Sequence, residues 1–98
     1  MGFSPNHARI DLEKDPLQNT DDIYVNDRQI GQISASAPVG SEFDLVMTDS
    51  LGQEHYREHV KMTTQRWGKR VDLLTPDSRL KVKIESPVNA KLIDIFVD

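Results

Sequence analysis

The chain reads as all-β: a small antiparallel β-sandwich of immunoglobulin-like or jelly-roll-like type, or a closed barrel, with an extended N-terminal arm. Three observations lead there. Leu80, Val82 and Ile84 alternate with Lys81, Lys83 and Glu85, and Ile93, Ile95 and Val97 alternate with Asp94 and Asp98. That is the period of two of strands with one apolar face. Turn signals near residues 39, 51, 68, 77 and 88 lie 9 to 17 residues apart, close to the spacing of a sandwich or barrel. Leu, Ile, Val and Phe make 26 of the 98 residues, above the roughly 20% below which chains tend to stay disordered.

Residues 1–22, MGFSPNHARIDLEKDPLQNTDD, hold two prolines. With Phe3, Ile10, Leu12 and Leu17 as its apolar positions, this stretch shows neither strand nor helix spacing and is expected to be an extended arm beside a single β domain at 23–98. Ile23-Tyr24-Val25, a turn at Asn26-Asp27-Arg28 and Gln29 to Ile33 form an expected hairpin. Pro38-Val39-Gly40 is a loop, Phe43 to Met47 a strand, and Asp49-Ser50-Leu51-Gly52 a turn. Gln53 to Trp67 fits two periods. As a strand, Tyr56, Val60, Met62 and Thr64 share a face interrupted by Glu58. As a helix, Tyr56, Val60, Thr63 and Trp67 make a stripe capped by Ser50 and Gln53. Gly52 in a first helical turn and the interior threonines favour the strand, with one short helix within 53–67 as the variant. Val71 to Leu74 is a short strand closed by Pro76-Asp77-Ser78. Leu80 to Asp98 is expected to close as a hairpin around Ser86-Pro87-Val88-Asn89.

Composition excludes several classes of function. The chain has no cysteine, so disulfides, thiolate nucleophiles and cysteine metal sites are out, and a reducing compartment is favoured. No apolar run approaches the ~18 residues of a membrane span, and residues 1–22 lack a signal peptide's basic end and apolar core. A soluble protein of a reducing cytoplasm is expected. The formal net charge is −4, but it is unevenly spread. Residues 1–22 carry five acids against Arg9 and Lys14, while residues 66–83 carry six cations against Asp72 and Asp77.

Candidate chemistry is sparse. His55-Tyr56-Arg57-Glu58-His59 matches H-x-x-E-H, in which histidines one helical turn apart bind zinc beside a glutamate base, so over these five residues the chain resembles the inverzincin signature. That resemblance implies a helix, a zinc ion on His55 and His59, and hydrolysis assisted by Glu58. In a strand the two histidines would stand about 13 Å apart, too far to share an ion, and exposed surface histidines are the expected reading. Arg66-Trp67-Gly68-Lys69-Arg70 with Lys81 and Lys83 offers cations and a ring to nucleic acid. A pI near 5.3 and a single tryptophan argue against it. No nucleophile elbow or phosphate-binding glycine pattern is present.

The expectation is therefore non-catalytic, with no cofactor: a structural or assembly subunit binding protein, either itself or a larger assembly such as a capsid lattice, as an accessory or decoration component would. Its partner-binding residues are expected to be the arm anchors Phe3, Ile10 and Leu12 and the cationic group Arg66, Trp67, Lys69 and Arg70. The alternative is a monomeric domain that holds a carbohydrate or a protein target through Tyr24, Tyr56, Trp67 and nearby loops.

Overall fold

The computed structural model describes residues 6–98. Eight strands form two four-stranded antiparallel sheets. They are β1 (His7–Asp11), β2 (Thr20–Tyr24), β3 (Gln29–Ser36), β4 (Glu42–Thr48), β5 (Glu54–Lys61), β6 (Arg66–Leu74), β7 (Arg79–Val88) and β8 (Leu92–Val97). Sheet A has the order β1-β8-β3-β6 and sheet B the order β2-β7-β4-β5. Strand β1 pairs with β8, β2 with β7, β3 with β6 and β4 with β5. The chain is thus one long antiparallel ribbon, rolled so that β3 meets β8 and β4 meets β7. This winding is that of a jelly roll, a sandwich of eight strands.

Alternation decides which residues face inward. Ile10 of β1, Ile33 of β3, Ile93 and Ile95 of β8 meet Phe43, Leu45 and Met47 of β4 and Leu80, Val82 and Ile84 of β7 in one core. Burying each large aliphatic side chain there stabilises the fold by about 2 kcal/mol before entropy is counted.

Two expected hairpins do not form. The segment from Ile23 and the segment to Ile33 fall on β2 and β3, in different sheets, and Leu80–Asp98 supplies β7 to sheet B and β8 to sheet A. Each pair shares the core, but across it. Strand β7 runs past the proline through Ser86 at φ 50°, where the register with β4 shifts, and the chain reverses only after Val88. Residues 53–67 are strand, turn and strand, with no α-helix. A single 3-10 turn, Asn26–Arg28, joins β2 to β3.

The N-terminal stretch supplies β1 and the start of β2 to the sandwich, joined by an exposed turn at 13–18. Ala8, Ile10 and Leu12 alternate with Arg9 and Asp11 and are buried against the core, and β1 is hydrogen-bonded along β8. Ile10 and Leu12 are therefore core residues of their own domain and are not available to anchor a neighbour. Leu17 alone of the described apolar positions in this stretch is exposed, at 90%. Phe3 lies outside the described residues. Strands β1 and β6 are opposite edges of sheet A, so Asp11 and the cations of β6 do not meet within one chain.

Candidate binding face on sheet A

The predicted cationic region divides between faces. Lys81 and Lys83 alternate with the inward Leu80, Val82 and Ile84 of β7 and point out from sheet B. On β6, Trp67 stands opposite the buried Ala35 and Lys69 opposite the buried Ile33. These two therefore lean inward, while Arg66, Gly68 and Arg70 face outward from sheet A. The cations at 66–83 do not form one patch.

Lys69 has a structural role. It lies at the seam where edge strand β6 of one sheet passes edge strand β5 of the other. Its Nζ donates to Glu58 Oε1 at 2.7 Å, and the Tyr56 hydroxyl donates to the same oxygen at 3.0 Å. Lys69, then desolvation opposing it, then Tyr56 set the net downward shift of the Glu58 carboxyl, while burial first and Glu58 second push the Tyr56 phenol up. Two inward-pointing charges thus close that side of the sandwich. On the other side Asp21 Oδ2 accepts the backbone N–H of Arg9 at 2.9 Å, covering one outward group of edge strand β1.

The outer face of sheet B is occupied by its own ion pairs. Arg57 donates to Glu54 through Nε and Nη2 and to Glu85 through Nη1 at 3.0 Å. His59 lies between Asp44 Oδ1 at 2.7 Å and Glu42 Oε2 at 2.6 Å. Donation from both ring nitrogens requires the imidazolium, and the bonds to Asp44 and then Glu42 raise its pKa above the ordinary histidine value. His55 bonds instead to Asp49 Oδ2 at 2.7 Å, a carboxylate held low by that bond and by the Gln53 N–H. The resemblance to the zinc signature therefore fails on geometry. The motif lies on strand β5, Glu58 is on the side opposite His55 and His59, and each histidine has its own carboxylate. Among the described residues, no group of three or more His, Asp or Glu is placed to hold one ion.

The outer face of sheet A is different. Across it, Gly68, Ser34, Phe96 and His7 are successive register neighbours, as are Arg66, Ser36, Asp94 and Arg9. The Phe96 and His7 rings stack at 4.5 Å and 6°. Asp94 Oδ1 takes His7 Nε2 at 2.7 Å and Arg9 Nε at 2.8 Å. Desolvation works against the Asp94 charge, but these two donors outweigh it and its pKa is lowered. Beside this fixed cluster the glycine and two serines leave an open slot of about 270 Å³, walled by Phe96 and Arg66, with the inward-leaning Trp67 between Arg66 and Gly68 along its lining. Arg66 and Arg70 are exposed, and neither forms an ion pair among the described residues.

Of the predicted partner-binding residues, Arg66 and Trp67 line this slot, Arg70 lies beyond it opposite Gln32, Lys69 braces the seam behind it, and Ile10 and Leu12 are in the core. Sequence reading missed Phe96, His7, Ser34 and Ser36. Serines on an outward strand face carry no distinctive signal, and His7 and Phe96 are far apart in the chain. Comparison with protein-family models, with curated proteins and with solved structures gives no match for this chain.

Proposed function

We propose that the chain is a non-catalytic structural module that joins a larger protein assembly and docks a neighbouring subunit through the β6 side of sheet A. One observation carries this reading: a long edge strand presents Arg66 and Arg70, which form no ion pair among the described residues, beside an open slot walled by Phe96, while the other outer face is taken up by its own ion pairs. An accessory or decoration component of a virus particle is one instance of this class. Jelly rolls recur in viral capsid and lectin domains, although such analogy of fold does not specify function.

Gel filtration of native lysate from cells that make the protein tests the reading. The wild-type chain should elute with an assembly far above its 11.2 kDa, and the double charge reversal R66E/R70E should release it as a folded monomer. A wild-type chain that elutes as a monomer, or a variant that stays in the assembly, contradicts the reading.

A second reading, a small-ligand domain, has one observation in its favour. A cleft of about 380 Å³ opens between the β4–β5 and β6–β7 turns, its lining including Asp22, Thr48, Ser50, Asp77, Arg79 and Lys81. Tyr24, half exposed, is the register neighbour of Arg79. Mixed charges, hydroxyls and an adjacent ring suit a saccharide. A rise in melting temperature with a panel of oligosaccharides, abolished by Asp22→Ala, would favour this reading over the first.

A further inference from the structure

We propose that the occupant of the β6 site is an extended acidic segment of a partner protein, added to sheet A as a further strand, with an aromatic residue between two carboxylates. This rests on the docking face proposed above and specifies the chemistry of what docks there.

The backbone supplies the first part of the argument. The Gln65 carbonyl accepts from the Ala37 N–H, so by the alternation of an antiparallel pair the backbone groups of Trp67 and Lys69 face β3 and those of Arg66, Gly68 and Arg70 face away. Arg66 is already covered, because the Thr64 hydroxyl donates to its carbonyl at 2.6 Å. Gly68 and Arg70 are left with outward backbone groups at a free edge. An added strand gains its affinity from main-chain bonds to such an edge and its specificity from alternate side chains.

The side chains supply the second part. Opposite Arg66 and Arg70, two positions apart on each side of Gly68, an incoming strand places its residues i and i+4. Carboxylates there form cross-strand pairs with the unpaired arginines. Residue i+2 lies over Gly68, where there is no side chain to meet it, and the slot beside Ser34 and Phe96 is open to receive a ring. Aromatic residues set against edge glycines make this contact in designed sheets. Asp72, next outward on β6, ends the cationic run, so the preference covers only these positions.

A second copy of the chain fits the edge less well. Antiparallel pairing of β6 with itself sets the cations Arg66, Lys69 and Arg70 against one another with only Asp72 to offset them, and on the other side of the molecule the middle of β1 is covered by Asp21.

The probe is a short synthetic peptide centred on Glu-Val-Phe-Val-Glu, added to the full chain. Trp67 is the only tryptophan and stands between Arg66 and Gly68 on the edge strand along the slot's lining, so its fluorescence reports binding, and amide resonances of Gly68 and Arg70 report strand addition. The expected result is a saturable change, weakened about tenfold or more by R66E/R70E and by replacing the peptide's phenylalanine with alanine. Gly68→Leu should weaken binding similarly by filling the slot while the fold is kept, since an added Cβ meets its nearest neighbour, Gln32 Nε2, at an ordinary 3.5 Å. A Lys-Val-Phe-Val-Lys peptide should bind R66E/R70E better than the wild-type chain.

No saturable change, or binding indifferent to the charge reversal, overturns the inference. Displacement of the peptide by oligothymidylate overturns it in favour of a nucleic acid, and a doubled mass of the free chain at the titration concentration overturns it in favour of a second copy. If the acidic peptide fails while R66E/R70E still releases the chain from its assembly, the docking face stands and only the acidic strand is wrong.

Discussion

On the outer face of sheet B, Arg57 is shared among carboxylates and His59 bridges two more. On the outer face of sheet A, Arg66 and Arg70 form no ion pair among the described residues, and stand beside a floor of Gly68, Ser34 and Ser36. The same residue types are present on both. The difference lies in register: β4 sets Asp44 opposite His59 and Glu42 opposite Lys61, β7 brings Glu85 beside Asp44 and β5 carries Glu54 itself, so acids surround Arg57 and His59, whereas β3 sets Ser36 and Gln32 opposite Arg66 and Arg70. A face whose charges satisfy one another gains little from a partner, because the partner must break those pairs. A face with solvated, unpaired arginines keeps its electrostatic complement for whatever docks.

The comparison depends on β1 being part of sheet A, and the largest expected effect tests that. Ile10 is 1% exposed, and Ile10→Ala should cost about 3 kcal/mol, read as a fall in the urea midpoint at unchanged slope. Leu17→Ala, at the exposed turn that follows, should stay within about 0.5 kcal/mol. Equal, small losses would mean that residues 7–11 lie loosely on the surface and that Arg9 does not hold Asp94 in place.

Next in size is the seam. Lys69→Met keeps the aliphatic stem but leaves Glu58 with only the Tyr56 hydroxyl. The loss should be about 1 kcal/mol, discounted because Lys69 is half exposed. Adding Glu58→Leu should recover most of it, since an apolar pair replaces the buried charge. A double variant less stable than either single one would show that the ion pair does more than close the side of the sandwich.

Much of this architecture was legible in single strands, less in how they combine. Phe43, Leu45 and Met47, like Leu80, Val82 and Ile84, announced their inward faces by alternation alone. Ala8, Ile10 and Leu12 alternate too, but alanine carries a weak apolar signal and the flanking Pro5 and Pro16 suggested an extended arm outside the sheets. Pairing was not legible, because a rolled ribbon joins residues from opposite ends of the chain: β1 meets β8, and neighbours such as β7 and β8 separate into different sheets. For the same reason Glu58 read as an interruption of an apolar face, when its partner Lys69 comes from the other sheet. The cations of the binding face could be named from sequence, but the slot between them could not, since it is made of side chains that are absent or small.

Smaller again is a direct test of the two faces by charge reversal at one arginine in each. Arg57→Glu should lower the melting temperature, because it sets a fourth carboxylate among Glu54, Asp44 and Glu85. Arg66→Glu should leave the melting temperature unchanged within error, with no pair to break. Equal sensitivity would mean that Arg66 has a structural partner and that the docking face is less free than its geometry implies.

The smallest effect is the most specific to sheet B. His59 is held as an imidazolium by Asp44 and Glu42, so its folded-state pKa lies above the 6.5 of an unperturbed histidine. The stabilisation it brings is fully present below that unfolded value and is lost as pH rises through the folded one. Asp49, Glu54, Glu58 and Asp94 shift the other way, and what they contribute disappears on the acid side, below the usual carboxylate range, so the two windows do not overlap. Melting temperature should therefore drift down as pH rises above 6.5, and His59→Gln should flatten that drift while leaving the acid limb as it was. Because the group is solvent-exposed, the drift should also shrink with added salt. If the slope survives in His59→Gln, the titrating group lies elsewhere, and the doubly bonded histidine does not close the outer face of sheet B.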